Sequence, residues 1–409
     1  MLVSKGKINY NNEMWPFLIS AGGGNRMSRF GKSPAGKELR MRSVRGYFKR
    51  LDKPLFLLTA AAVIYGLIVL YSELSTQFIT RRAFYVQLGA GVGGLFCMAL
   101  MEQIDYHRLA AGWKIHLPVT LGLTLLTFTS LPVVYRPEGS DDSAWLRLGA
   151  FSVQPGELLK FSFILTFAWH LSKVQEDINR PREVLLLCLH GAVPCVLIFL
   201  QGDMGSALIF FFIFLTMMFV SGLSHRYILL GIGVCAAVAP GVWMLLPDYI
   251  QNRFLVLRDL DSAPLKEAYQ QLMARRILGS GQTFGKGVFS DHFTYVYAIE
   301  NDLVFAHIGQ ALGFAGCTAA LLLLTAICGK ILLNIRSSRD YLGSSIDAGV
   351  FAMIFFQSAL NIGMVLGVLP VIGVTLPFFS QGGSSLAVSC LAVGLVLSVY
   401  AQSRRPQKR

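Results

Sequence analysis

Long apolar runs separated by short polar links make up most of the chain after residue 53. About ten of these runs approach the length of roughly 20 residues that a helix needs to cross a membrane. Most links are short, so neighbouring helices should pack antiparallel. The pattern therefore predicts an all-α polytopic membrane protein. Its predicted spans are residues 54–72, 83–101, 116–134, 155–172, 183–200, 204–222, 226–246, 302–328, 346–368 and 385–401.

One long polar insert, residues 247–301, separates predicted helices 7 and 8. A loop of this length, fastened at both ends to hydrophobic helices, is typical of a folded and functional segment rather than a mere connector. Between Pro264 and Leu278, apolar residues recur at helical spacing. This pattern predicts an amphipathic helix that lies along the membrane surface.

Composition supports a membrane protein, and the charge distribution predicts its orientation. Hydrophobic residues make up 54% of the chain and charged residues only 14%, which is too apolar for an ordinary soluble protein. The net charge of +13 lies in the two tails. Residues 1–53 hold 12 Lys/Arg and 3 Asp/Glu, residues 401–409 hold 4 Lys/Arg and no Asp/Glu, and residues 54–400 hold 20 of each. Basic tails are typical of cytoplasmic flanks near anionic lipid, so we expect no nucleic-acid partner.

An even number of spans places both tails in the cytoplasm and the long loop outside. We predict a basic, disordered cytoplasmic extension over residues 1–50, a transmembrane domain over 51–402 that includes the 247–301 loop, and a basic tail over 403–409. The first apolar run lacks a small-residue cleavage site and resembles a signal-anchor helix. All seven cysteines fall inside apolar runs, so we expect neither a disulfide framework nor a metal cluster.

Charged residues within or beside the apolar runs are costly, so each needs a reason. The first group is Trp145, followed by Glu157 and Lys160 at the start of a predicted helix. Glu157 and Lys160 are three residues apart and share a helix face, so an internal ion pair with Trp145 as an interfacial anchor would explain them. The second is Asp203 in a polar hinge, where it could cap the following helix.

Two further polar places lie near the ends of later spans. Asp302 could cap the helix that follows it, or a carboxylate in a dry outer cleft could serve as a general base. The fourth runs from Asn361 to Ser384 and Ser385 through Pro370 and Pro377, together with several glycines. Prolines and glycines at membrane depth predict non-helical backbone, which is tolerated only when it is buried in protein or lines a cavity.

Together these blocks resemble the SEDS family (shape, elongation, division and sporulation). The matching motifs, in order and spacing, are W-L-R-L-G at Trp145, Q-P-G-E-L-L-K at Gln154, Q-G-D-M-G-S-A at Gln201, N-D-L-V-F-A at Asn301, and N-I-G-M-V with L-P and G-V-T-L-P-F-F-S-Q-G-G-S-S from Asn361. The resemblance covers roughly residues 50–402, and N-I-G-M favours the RodA branch. Departures from the family's L-P-E-x-H-T-D pattern before Asp302 mark a divergent member.

The resemblance implies a ten-helix fold and a peptidoglycan glycosyltransferase that acts on lipid II outside the cytoplasmic membrane. It implies a class B penicillin-binding protein as partner. Asp302 matches the family's essential aspartate, Trp145 its functional tryptophan, and Glu157 with Lys160 its polar pair. Asp302 would be the catalytic base, and further substrate contacts are expected from Asp203, Asn361, Ser384 and Ser385.

Three hypotheses follow from these residues. In the first, an inverting glycosyltransferase uses Asp302 as base, and the leaving diphosphate is stabilised by cationic groups. The candidates are Lys160, Arg253, Arg258, Arg275, Arg276 or a divalent ion such as Mg²⁺ or Mn²⁺. In the second, the charges form the headgroup path of a lipid flippase. In the third, the protein is a non-catalytic scaffold for the penicillin-binding protein.

Overall fold

The structure is a computed structural model that describes residues 51–135, 144–149, 151–257 and 265–404. The predicted extension 1–50 and residues 405–409 of the predicted tail lie outside this part. The described helices are α1 (Lys53–Ser75), α2 (Arg81–Met101), α3 (Tyr106–Ala111), α4 (Trp113–Leu126), α5 (Pro155–Lys173), α6 (Pro181–Leu200), α7 (Met204–Val220), α8 (His225–Leu245), α9 (Asp248–Leu255), α10 (Leu265–Ser280), α11 (Val304–Ser337), α12 (Tyr341–Leu366) and α13 (Gly383–Ser403).

Every predicted span coincides with one of these helices, so the prediction of a helical membrane protein is confirmed. Seven of the helices are long and apolar enough to cross a membrane, namely α1, α2, α6, α8, α11, α12 and α13. Helix α7 is shorter, and α4 ends at Leu126, before the predicted end of its span at residue 134. The count of ten crossings and the sidedness of the tails stay predictions.

Contacts between chain segments define two ends of the helical bundle. At one end, the Tyr106 hydroxyl at the start of α3 donates to Asp340, which caps α12, and the Gln402 amide at the end of α13 donates to Asp105. We call this the tail end. At the other end, which we call the loop end because it carries residues 246–303, the Gln154 amide before α5 donates to Asp203 before α7.

A small antiparallel sheet at the loop end was not predicted. It consists of β1 (Val134–Tyr135), β2 (Trp145–Leu148) and β3 (Phe151–Val153), in the order β1-β2-β3. Along β2, Leu146 is buried, whereas Arg147 is exposed and its guanidinium lies 4.0 Å above the centre of the Tyr135 ring. Alternation of this kind is the signature of a half-buried strand, so the W-L-R-L segment was open to this prediction.

Burial is uneven across the bundle. Helix α13 packs against α2 and is largely buried, and α12 lies between α7 and α11. In contrast, none of the described side chains of α8 is buried. Helix α8 thus presents its entire described surface to the surroundings of this chain, which in a membrane are lipid or another protein.

Helix α11 is interrupted at Gly313, whose φ of 67° is in the left-handed region. The segment 281–287 fills this interruption. The amide nitrogens of Phe314 and Ala315 donate to the carbonyl oxygens of Gln282 and Thr283 at 2.7 and 3.0 Å. The nitrogens of Lys286 and Gly287 donate in turn to the oxygens of Gln310 and Ala311, both at 2.9 Å. Backbone groups released by the break are therefore satisfied by the loop, as a membrane interior requires.

The predicted amphipathic helix in the long loop exists, but its buried face differs from the predicted stripe. Helix α10 packs against α11. Its buried side chains are Gln271, Ala274 and Ile277, whereas Tyr269 from the predicted apolar stripe is exposed. The helix is therefore part of the protein core at the loop end, because glycines in α11 and in the 281–287 segment let the backbones approach closely.

Candidate functional site

Asp302 lies at the end of a tight turn just before α11. The turn begins at Ala298, a non-glycine residue with φ of 62°, whose carbonyl oxygen accepts hydrogen bonds from the nitrogens of Asp302 and Leu303 at 3.1 and 3.2 Å. The N-cap position of α11 is Leu303, which makes no side-chain capping bond. The turn thus places Asp302 one residue outside the capping position that the sequence suggested. Its side chain is half-buried.

The segment between α12 and α13 packs directly against this turn. The Asn361 amide nitrogen donates to the carbonyl oxygens of Asp302 at 2.8 Å and Val374 at 2.6 Å. The Ser380 hydroxyl donates to the Asn301 carbonyl, and the Gln381 nitrogen donates to the Glu300 carbonyl at 2.8 Å. Residues 370–376 are non-helical, as the prolines and glycines predicted. Asn361 therefore joins the two chain segments that form the candidate site.

Gly373 shows which way the Asp302 carboxylate points. A Cβ atom added at Gly373 would lie 3.6 Å from Asp302 Oδ2. On the other side of the same segment, a Cβ atom added at Gly205 in α7 would lie 2.5 Å from the Ile372 carbonyl oxygen. The segment 371–374 thus lies between Asp302 and the start of α7, where the second polar motif is found.

Asp203 caps α7, which confirms the capping prediction. Its Oδ1 accepts from the Ser206 nitrogen at 2.8 Å, and its Oδ2 accepts from the Gln154 amide at 2.7 Å. The Gln154 nitrogen lies 3.5 Å from the Ser384 hydroxyl at the start of α13, and the Ser385 hydroxyl lies 3.1 Å from that of Thr375. Four distant motifs, those of Gln154, Asp203, Asn361 and Ser384, therefore meet around Asp302 at the loop end.

Glu157 and Lys160 form the predicted ion pair on α5. Pro155 occupies the first turn, and Lys160 Nζ donates to Glu157 Oε1 at 2.7 Å. Both side chains are buried, with 1% of the lysine and 5% of the glutamate side chain exposed. Burial makes each charge dependent on the other, since removing one partner leaves the other uncompensated. In this arrangement the partner of Lys160 is Glu157, and contact with a diphosphate would require the pair to open.

The candidate cationic groups differ in position. Arg253 on α9 donates from Nη1 to the Val371 carbonyl at 3.4 Å, on the segment that contacts Asp302. Arg275 on α10 instead donates to the carbonyls of Leu366 and Gly367 at 3.2 and 2.8 Å, where it satisfies the C-terminus of α12. Arg276 is exposed, and Arg258 lies outside the described residues. Arg253 is therefore the described loop arginine that contacts the segment facing Asp302.

Trp145 is placed on β2, paired with Tyr135 of β1, and is half-buried. The last strand of its sheet packs against α13, next to the Gln154 motif. The tryptophan is thus held by a hairpin at the same end of the bundle as Asp302.

Sequence reasoning missed a buried polar group beside the turn, formed by Glu73, Glu300 and His307. Glu73 and His307 are fully buried, and Glu300 is half-buried with a pKa raised above its ordinary value by burial. Glu73 interrupts a long apolar run, which was the available signal. Gln201 is also buried, and its amide donates to the Thr124 carbonyl at 3.2 Å.

No metal-binding constellation is present within residues 51–135, 144–149, 151–257 and 265–404. No three His, Cys, Asp or Glu side chains there are arranged to hold an ion. The described residues do not fit the divalent ion considered from the sequence, and we derive no step through a metal.

Fold and site together define a helical membrane protein whose conserved-type motifs converge beside one carboxylate at one end of the bundle. The family model described as "Cell cycle protein", which covers FtsW, RodA and SpoVE, matches residues 52–405. The chain belongs to this family, and the resemblance stated from the motifs is confirmed.

Curated relatives and solved structures agree with this membership. The chain is 30% identical to stage V sporulation protein E of Bacillus subtilis (86% of this chain, 98% of the relative) and 27% identical to peptidoglycan glycosyltransferase MrdB of Escherichia coli K12 (88% and 95%). It matches a chain from a structure on the coordination of polymerization and crosslinking by a peptidoglycan synthase complex, with TM-score 0.72, 27% identity and coverage of 87% and 99%. It also matches Thermus thermophilus RodA, with TM-score 0.64, 27% identity and coverage of 87% and 98%. These relatives span several branches, so the preference for RodA stays a prediction.

Proposed function

We propose that this protein is a peptidoglycan glycosyltransferase that polymerises lipid II into glycan strands. The observation that carries the proposal is the position of Asp302, half-buried at the loop end and facing the 371–374 segment. Relatives that align over nearly their whole length are named peptidoglycan glycosyltransferases, which supports the same reaction class.

The proposed reaction is an inverting displacement at C1 of the donor sugar. The Asp302 carboxylate takes the proton of the acceptor sugar's 4-hydroxyl as that oxygen attacks C1. The bond from C1 to the diphosphate oxygen breaks, and undecaprenyl diphosphate leaves with the electron pair. A cationic group near the leaving oxygens stabilises the developing charge, and Arg253 is the candidate closest to the segment that Asp302 faces.

Burial gives the carboxylate its reactivity. A carboxylate partly withdrawn from water is a stronger base than one in free solution, because desolvation disfavours its charged form. Asn361 and the Ala298 turn fix the backbone of Asp302 from both sides, so the base is held rather than mobile. Preorganisation of this kind lowers the barrier without requiring rearrangement during the reaction.

The proposed partner is a class B penicillin-binding protein, and the proposed location is the cytoplasmic membrane with the loop end outside. The similarity to a chain of a peptidoglycan synthase complex supports the partner. The basic residues at the tail end support the orientation.

The test uses purified full-length protein with fluorescent lipid II, with and without a co-purified class B penicillin-binding protein. Asp302→Asn should lower the polymerisation rate by about 100-fold or more, since it removes a general base. Asp291→Asn changes an exposed aspartate of the same loop and should leave the rate unchanged. Wild-type rates with Asp302→Asn would refute the base assignment.

The same preparations separate the rival functions. In liposomes that contain labelled lipid II, a flippase would move the lipid across the bilayer without making glycan. A scaffold would support growth of the native host with Asp302→Ala. Either result, with no polymer formed by the wild-type protein, would overturn the proposed glycosyltransferase.

A further inference from the structure

A buried polar cluster lies behind the turn that carries Asp302. Glu73 near the end of α1 and His307 in the first turn of α11 have no exposed surface. Both carboxyl oxygens of Glu73, the Nδ1 atom of His307 and the Oε2 atom of Glu300 have no hydrogen-bond partner among the described residues. Buried polar atoms without partners are costly, so this cluster requires a physical explanation.

Hydrogen bonding fixes the protonation of one nitrogen of His307. The Ser72 hydroxyl donates its single proton to the Val69 carbonyl at 2.6 Å. It must therefore accept at its contact with His307 Nε2, at 2.7 Å, so that Nε2 carries a proton. The Phe293 ring stands 4.9 Å from the imidazole ring, centre to centre. In these apolar surroundings the neutral ring is favoured, with Nδ1 as an unprotonated base.

Glu73 and Glu300 face the same pocket from different segments. Glu73 Oε1 lies 3.9 Å from His307 Nε2, which is too far for a hydrogen bond but close enough for electrostatic attraction. The Glu300 carboxyl is within electrostatic range of Glu73, and burial raises the pKa of Glu300. Two carboxyls in one apolar pocket resist simultaneous ionisation. The pocket therefore retains a proton under conditions in which exposed carboxyls have lost theirs.

Glu300 connects this pocket to the candidate active site. It lies two residues before Asp302 within the turn that starts at Ala298, and its carbonyl accepts from the Gln381 nitrogen at 2.8 Å. A force on the Glu300 side chain thus acts on the short turn that sets the backbone of Asp302. Glu73 belongs to α1, so the pocket links α1 to this turn.

We propose that Glu73, Glu300 and His307 form a proton-holding cluster whose retained proton keeps the Ala298–Asp302 turn in place, which makes them positioning residues for Asp302. Loss of the proton places two negative charges in one apolar pocket, and their repulsion displaces the turn. Polymerisation then falls at alkaline pH. This inference rests on the proposed function only through its activity readout.

Other titratable groups around the cluster are on the neighbouring segments. Tyr295 and Tyr297 precede the turn, and burial raises the pKa of Tyr295, so that residue stays neutral until strongly alkaline pH. Arg81 and Arg82 at the start of α2 are exposed to solvent. The outer half of α13 carries no charged residue. The carboxyl pair is thus the group of this region that titrates first as pH rises.

The test compares Glu73→Gln with wild type across pH 6 to 10 in the lipid II polymerisation assay. Glutamine keeps the shape of the protonated glutamate and cannot ionise. We expect activity near neutral pH to be retained, and the alkaline decline to move upward by about one pH unit or more. Glu73→Ala removes the packing and should lower activity at every pH. Glu176→Gln changes an exposed glutamate at the tail end and should match wild type.

Thermal unfolding of the full chain in detergent gives a readout independent of activity. A carboxyl whose folded pKa is raised contributes stability that is full below its unfolded pKa and is lost as pH rises through the folded pKa. Wild-type Tm should therefore fall on the alkaline side, and Glu73→Gln should reduce that fall. Glu300→Gln tests the same point if Glu73→Gln does not fold. Identical pH dependence of Tm in wild type and a folded Gln variant would overturn the cluster. A failure of wild type to polymerise lipid II would overturn only the proposed function.

Discussion

Asn361 is the residue that most directly ties the candidate site together. It is fully buried, and one amide nitrogen serves the carbonyls of both Asp302 and Val374. The sequence marked Asn361 as a candidate substrate contact, and that role stays a prediction. Its observed hydrogen bonds assign it a structural role, because they fix the backbone that positions the Asp302 carboxylate.

Replacing Asn361 with Ala should harm both stability and activity. Two buried carbonyl oxygens would lose their donor, at a cost of about 1–3 kcal/mol for unsatisfied groups. Thermal unfolding in detergent should show a lower Tm, and the polymerisation rate should fall by about tenfold or more as Asp302 loses its position. A variant with wild-type Tm and wild-type rate would contradict the bridging role.

At the scale of elements, the tail end is held by a histidine between two aspartates. His107 on α3 contacts Asp105 Oδ1 at 3.0 Å through Nδ1 and Asp340 Oδ2 at 2.6 Å through Nε2. Hydrogen bonds to Asp105 and then Asp340 raise the pKa of His107 to about 9. The same contact with His107 lowers the pKa of Asp105. The charged imidazole thereby joins α3 to the start of α12.

His107→Gln should destabilise the protein in a pH-dependent way. The histidine contributes stability that is full below its unfolded pKa of about 6.5 and is lost as pH rises through about 9. The difference in Tm between wild type and variant should therefore be largest near pH 6 and close by pH 10. His292→Gln, at an exposed loop position, serves as the control. A difference that stays constant with pH would show that the ion pairs contribute nothing.

The crossing of the 281–287 segment with α11 depends on glycine. A Cβ atom at Gly281 would collide with the Gly309 carbonyl oxygen, which is backbone and cannot swing away. Gly281→Ala should therefore cost about 3 kcal/mol or more, or prevent folding. Gly279→Ala, two residues earlier in α10, meets nothing within 4 Å and should be neutral or stabilising by about 0.5–1 kcal/mol. Equal Tm values for the two variants would refute this crossing.

At the scale of the whole molecule, α13 and α8 represent opposite extremes of burial. Leu395 on α13 is fully buried, and Leu230 on α8 is 62% exposed. In a membrane the hydrophobic transfer term is small, so packing decides the cost of truncation. Leu395→Ala should lower stability by roughly 1–3 kcal/mol and Leu230→Ala by less than about 0.5 kcal/mol, measured by unfolding in detergent. A large cost at Leu230 would indicate that α8 is packed against another chain.

Much of this architecture could be predicted because the bilayer constrains the sequence directly. Each span must hide its backbone polar groups in a helix of apolar residues, and this requirement is local and visible in the chain. Pro155 in the first turn of α5, the Asp203 cap and the Glu157–Lys160 pair involve residues at most three apart, and the structure confirms all three. Family membership followed from the same local motifs and is also confirmed.

Other features depend on contacts between residues that are far apart along the chain. The break of α11 at Gly313 is tolerated only because residues 281–287 satisfy its backbone, and Arg275 faces the end of α12 rather than a substrate. The burial of Glu73 beside Glu300 and His307 likewise needs three separate segments.

The sequence by itself determined the spans, the polar loop and the motifs, since membrane burial and helix capping act on neighbouring residues. Only the tertiary structure decided which polar groups meet, because desolvation and hydrogen-bond geometry depend on distances in space that the order of residues does not specify.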